Sequence, residues 1–188
     1  MLKIPVSQLK SAGNDISKLF KSVDSVKELL KDIDECSFSV LEFSRHLERK
    51  NVLMYLSTHL FARHHCFDIL NHDPFVHFIR KVRDGYDESN PYHNDIHGVD
   101  VMQGAHMFLI KGKLARVAQL DHLDEFSFLF AALMHDFKHN GFTNAFHQNS
   151  MSPLAIRYND MSVQENFHVA ETVELLESPD TKILSGLS

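Results

Sequence analysis

Turn-forming residues are scarce. Seven glycines and five prolines in 188 residues leave little punctuation for many short strands and favour long helices with few breaks. Cysteine is scarcer still: Cys36 and Cys66 are too few for a disulfide framework, read as reduced thiols, and point to the cytoplasm. No apolar run reaches the roughly 18 residues that cross a bilayer, which excludes a transmembrane segment. Met1-Leu2-Lys3-Ile4-Pro5 lacks the apolar stretch and cleavage site of a secretion signal. Positive charge is short as well. A net charge of −6 argues against a basic face that tracks phosphates, and so against nucleic acid as a main partner. It leaves room for a small phosphate ester, because a bound metal can supply local positive charge. The chain also has no C-x-x-C pair, no Gly-rich phosphate loop and no G-x-S-x-G elbow.

What remains is apolar and rich in histidine. A hydrophobic fraction of 44% with 15 Phe supports one globular domain with a real core. Strand alternation nowhere persists, so the predicted class is all-α. Residues 1–36 carry one helical face, Ile16, Leu19, Phe20, Val23, Val26, Leu29 and Leu30, capped by Asn14 or Asp15, and read as a flanking segment. From 37 onward the pattern predicts a short helix over 41–47, a longer one over 51–70, and another opening at Asp73-Pro74 and closing near Gly85. A helix beginning in the histidine-rich stretch after Pro91 stops at Lys111-Gly112. Asp121, with Asp124 and Glu125 in the first turn, starts the next. That helix runs Phe128-Leu129-Phe130-Ala131-Ala132-Leu133-Met134, apolar on nearly every side, and is expected to be central and buried. A loop follows, then a short segment over 154–158 and a helix over 162–177.

Of 14 histidines, eight fall between positions 93 and 168, and five of these stand with acids in three bursts. Imidazole and carboxylate bind divalent metals and move protons near neutral pH. His93 and His97 are four apart and share a face if both are helical; that spacing alone fits a solvated or core-edge pair better than a site. His135-Asp136 closes the apolar run, where an unpaired carboxylate is costly to desolvate, so metal or hydrogen bonds should hold it. His139 lies one turn further. Glu165 and His168, three apart, fit an ordinary helix face as well as a site, and Asn144, Asn159 and Asp160 fit turns and caps.

Taken in order, Tyr92-His93-Asn94-x-x-His97-x-x-Asp100, His135-Asp136-x-x-His139-x-Gly141-x-x-Asn144-x-Phe146 and Tyr158-Asn159-Asp160-x-Ser162-Val163-x-Glu165-Asn166-x-His168 resemble the class I 3′,5′-cyclic nucleotide phosphodiesterases. Around His139-x-Gly141-x-Thr143-Asn144-x-Phe146-His147 the likeness is to the calmodulin-dependent branch. The resemblance implies a multi-helix, HD-type catalytic domain that hydrolyses cyclic AMP or cyclic GMP to the 5′-monophosphate in signal transduction. It implies metal ligands at His97, His135 and Asp136, with Asp136 bridging a zinc site and a magnesium or manganese site. It implies His93 as general acid, Tyr92 in the substrate pocket, His139 and Glu165 holding metal-bound water, and Asn144 and Asp160 supporting the site. A regulatory partner or a homodimer would fit.

Phe167 and Gln164 stand where the family usually has histidine and leucine, and Lys138 replaces a usual acid, which would put positive charge near the metals. The family's further aspartate ligand and purine-binding glutamine would lie downstream. The expectation is therefore the N-terminal portion of a catalytic domain, residues 37–188, incomplete at its C-terminus and weakly active or inactive alone. Two rival readings are a truncated, non-catalytic regulatory protein and another His-Asp metal phosphohydrolase.

Overall fold

A computed structural model describes residues 24–187, and every described element is helical. The expected cap and first turns of the flanking helix lie outside the described residues. The part that is described, α1 (Asp24–Leu29) and a 3-10 turn (Leu30–Asp32), sends Val26, Leu30 and Ile33 into the same core as the rest of the chain.

Then come α2 (Val40–Ser44), α3 (Arg49–Arg63), α4 (Phe75–Gly85) and α5 (Asp95–Ile110). They are followed by α6 (Leu114–Val117), α7 (His122–Met134), α8 (Asn144–Asn149), α9 (Pro153–Arg157) and α10 (Val163–Glu177). The expected 51–70 helix stops at Arg63, because His65 turns left-handed (φ 56) and only a 3-10 turn, Cys66–Asp68, follows. The short helix α8 falls where the sequence pattern indicated a loop, and α6 falls in a stretch to which it assigned no element.

The most deeply buried helix is α3, not α7. Val52, Leu53, Leu56, Leu60 and Phe61 are fully buried, and Met54, Tyr55, Ser57 and Thr58 nearly so. Its Ser57 hydroxyl sits in this core by donating to the Leu53 carbonyl at 2.6 Å. α7 buries Phe126, Leu129, Leu133 and Met134 but leaves Phe128 and Ala131 exposed. An apolar run says that a helix can be buried all round; which faces find neighbours is decided elsewhere. On α10, Val169 and Val173 are exposed too.

α5 packs between α3 and α7, with its first turn beside the last turn of α7. Two details set that approach. Gly98 faces the Tyr86 ring, where a Cβ would come within 2.8 Å, so only glycine lets α5 lie this close. The Tyr86 hydroxyl donates to the Leu133 carbonyl at 2.7 Å and ties the end of α4 to α7. At the opposite end of the α5–α7 pair runs a polar chain. Glu125 meets His64 Nδ1 at 2.7 Å, His64 Nε2 meets His106 Nδ1 at 2.8 Å, and His106 Nε2 meets Asp34 at 3.0 Å. Arg63 also donates to Asp34 at 3.0 Å, so the chain links residue 34 to α3, α5 and α7.

Candidate metal centre

The site lies where α5 begins and α7 ends. Asn94 caps α5, its Oδ1 accepting from the backbone N–H of Ile96 at 3.1 Å and His97 at 3.3 Å, while its Nδ2 donates to the Asn90 carbonyl at 2.9 Å. Asparagine suits this role because its side chain can satisfy the orphan amides of a first turn. The cap places His93 outside the helix, so the shared helical face expected for His93 and His97 does not exist. The two rings nonetheless lie edge to face with centroids 5.8 Å apart. At the far end, the Asp121–Asp124 capping box starts α7 as its acids predicted.

Three donor atoms converge. His97 Nε2 lies 3.1 Å from His135 Nε2 and 3.3 Å from Asp136 Oδ2, and His135 Nε2 lies 3.2 Å from that same oxygen. Bonds of ~2.0–2.1 Å to a tetrahedral ion give edges of about 3.3 Å, so these atoms occupy three corners of such a site. Second contacts set the protonation. His135 Nδ1–H donates to the Ala132 carbonyl at 2.8 Å, which leaves the lone pair of a neutral ring on Nε2, toward the other two donors.

The local field suits a cation. Burial alone would raise the Asp136 carboxyl, but the hydrogen bond and charge of His135, with His139 and His93, outweigh it and hold it down to about 2. Burial would lower His135, yet its bonds to Asp136 and the Ala132 carbonyl raise it, so the cluster that attracts a proton would also attract a metal ion. His97 is held below its ordinary value by burial and by His135, leaving it neutral and able to ligate.

A second group, Asp136, His139 and His168, has donor atoms within 4.8 Å of one another. Hydrogen bonds separate their roles. His168 Nδ1–H donates to the Phe137 carbonyl at 2.7 Å, so its bare Nε2 faces Asp136 Oδ1 at 3.8 Å. His139 Nδ1 instead accepts from the Gly141 N–H at 2.9 Å. Gly141 reaches that position with φ +84, a conformation glycine adopts freely. Burial, and the nearby His93, push His139 down to about 4, so the ring is neutral and carries its proton on Nε2. His139 is therefore a donor into the site, and Asp136 and His168 are the atoms that could hold a second ion.

These groups line an open cleft of about 270 Å³ with His93, Gln164 and Glu165. The His93 ring stacks on His139 at 4.0 Å. Asn144 Nδ2 donates to Glu165 at 2.9 Å and its Oδ1 accepts from the Gln164 N–H at 2.9 Å, joining α8 to the start of α10. That amide, together with the backbone, holds the Glu165 carboxyl below its usual value. The Tyr92 ring lies 4.4 Å from His97 and is largely exposed beside it. Asp160 stands apart: it is exposed in the turn before α10, with its carbonyl accepting from Gln148 at 2.6 Å.

His168, given no role from sequence, belongs to the site; its spacing of three from Glu165 was the available signal. Gln164, noted in the sequence only as a departure, is buried and donates to Phe142 O at 2.8 Å and Asn140 Oδ1 at 3.0 Å, bracing the loop over the cleft.

Residues 92–188 match the model of the 3′5′-cyclic nucleotide phosphodiesterase family. The chain is 39% identical over 189 residues to 3′,5′-cyclic-AMP phosphodiesterase 4 of Dictyostelium discoideum, an alignment covering 95% of this chain and 18% of that protein. It is 35% identical over 189 residues to the dual specificity calcium/calmodulin-dependent 3′,5′-cyclic nucleotide phosphodiesterase 1 of Drosophila melanogaster, covering 94% of this chain and 22% of that one. It thus spans about a fifth of the length of these relatives. Among solved structures, the phosphodiesterase domain of the RhoPDE fusion protein from the choanoflagellate Salpingoeca rosetta is similar, with a TM-score of 0.65 and 34% identity, over 72% of this chain and 42% of that one.

Proposed function

The chain belongs to the 3′5′-cyclic nucleotide phosphodiesterase family, and on that premise we propose that its His-Asp centre serves metal-dependent hydrolysis of cyclic AMP, cyclic GMP or both to the 5′-monophosphate. The observation that carries this reading is the convergence of His97 Nε2, His135 Nε2 and Asp136 Oδ2 at 3.1, 3.2 and 3.3 Å. Two imidazoles and a carboxylate suit zinc, and the Asp136 oxygen facing His168 suits a harder ion such as magnesium or manganese. When bound, such cations supply positive charge that acidifies water and offsets the charge gathering on a phosphate under attack.

The remaining tasks belong to side chains. His93, steadied by its stack on His139, protonates the 3′ oxygen as it departs, a step typically worth about 10²–10⁴-fold. His139 Nε2–H donates into the cleft and orients an oxygen there. Glu165, aimed by Asn144, accepts from water in the same cleft. Tyr92 presents its ring beside the opening. The free thiols Cys36 and Cys66 support a reducing, cytoplasmic setting, and no helix among the described residues is long and apolar enough to cross a membrane.

The test is turnover by the complete, metal-loaded protein. Release of 5′-monophosphate from cyclic AMP or cyclic GMP is expected. Intact metal with turnover of neither nucleotide would remove the reading.

A further inference from the structure

Lys138 stands between Asp136 and His139 in a left-handed conformation, φ 61. A residue with a Cβ enters that region at a cost of roughly 1 kcal/mol or more, so the turn needs contacts that hold it. As a departure from the family pattern, Lys138 is expected to put positive charge near the metals. The structure instead pairs Lys138 Nζ with the carboxylate of Glu171 on α10, whose side chain is only 18% exposed. Glu171 follows His168 by three residues, on the same face of α10. His168 holds the Phe137 carbonyl at 2.7 Å. Consecutive residues of the turn, 137 and 138, are thus gripped by two points of α10 about 4.5 Å apart along its axis. One contact would let the helix slide or roll against the turn, whereas two fix both its register and its rotation.

We propose that the Lys138–Glu171 pair is a positioning device: it pins the register of α10 against the 136–139 turn and so sets His168 Nε2 opposite Asp136 for the second cation. The proposal rests on the metal reading above. Lys138 touches neither ligand atom and acts through α10, not through its charge on the site.

The test titrates manganese into the zinc-loaded protein and follows free Mn²⁺ by electron paramagnetic resonance. Lys138→Glu and Glu171→Lys each set like charges together and should weaken manganese binding roughly two- to fivefold, the range expected of a partly exposed pair. The double reversal, Lys138→Glu with Glu171→Lys, should return affinity to within about twofold of wild type. Zinc stoichiometry should hold throughout. Lys138→Gly relaxes the left-handed turn while removing the pin, so it should keep or raise urea stability and still weaken manganese.

Wild-type manganese affinity in Lys138→Gly and in the single reversals would overturn the pin. So would a folded double reversal no tighter than either single. A wild-type protein that takes up neither zinc nor manganese would instead remove the metal reading, and the pin with it.

Discussion

At the scale of single residues, the site depends on which nitrogen of each ring carries the proton. Backbone carbonyls take the Nδ1–H of His135 and His168 and leave Nε2 bare on each, whereas a backbone amide donates to Nδ1 of His139. Partners of this kind typically change metal affinity or activity by about 10–100-fold when lost. Asn144→Ala releases Glu165 and the Gln164 backbone together, so it should lower turnover by on the order of 10–100-fold with the zinc content unchanged; steady-state kinetics beside metal analysis checks this. That His97, His135 and Asp136 belong together comes from the family resemblance; spacing alone leaves His97 open to an ordinary helix face, and the structure brings their donor atoms within 3.3 Å of one another. The tautomers are not legible in the sequence, since they hang on the carbonyls of Ala132 and Phe137 and on the left-handed reach of Gly141, none of which a residue type announces.

At the scale of elements, periodicity was the dependable signal. α4, the stop of α5 at Lys111, the Asp121 start of α7 and the span of α10 follow from caps and apolar spacing alone. Two readings failed for the same physical reason. Continuous apolarity predicts a central, buried α7, and four-residue spacing predicts a shared face for His93 and His97 if both are helical. Both treat a helix in isolation, whereas neighbours decide burial and a cap decides where the helix starts. The close packing of α5 on Tyr86 makes the point quantitative. Gly98→Ala drives a methyl to 2.8 Å from that ring, so it should cost about 1–3 kcal/mol of stability and disturb His97 on the adjacent position. Urea denaturation read against metal affinity measures both effects at once.

At the scale of the whole molecule, acid is the predicted weakness. Burial pushes His59 and His106 down to about 4, outweighing the pull of Asp34. Such rings stay neutral in the fold, while the unfolded chain takes up their protons near pH 6.5. The unfolded state then binds more protons, and stability must fall as pH drops from about 6.5 to about 4. Asp34 extends the loss below that: burial would raise it, but Arg63 and His106 prevail and depress it, so its stabilising charge is removed by stronger acid. Denaturation midpoints across this pH range should decline, and His106→Gln should flatten the slope. A profile that is level between pH 6.5 and 4 would contradict it.

More than thirty residues of chain separate His97 from Asp136, yet they meet at one point. An ion held there is a cross-link that the unfolded chain cannot keep. Each tenfold of free cation above its dissociation constant then adds about 1.4 kcal/mol to the folded state. The supply of metal would therefore govern how long each molecule escapes proteolysis.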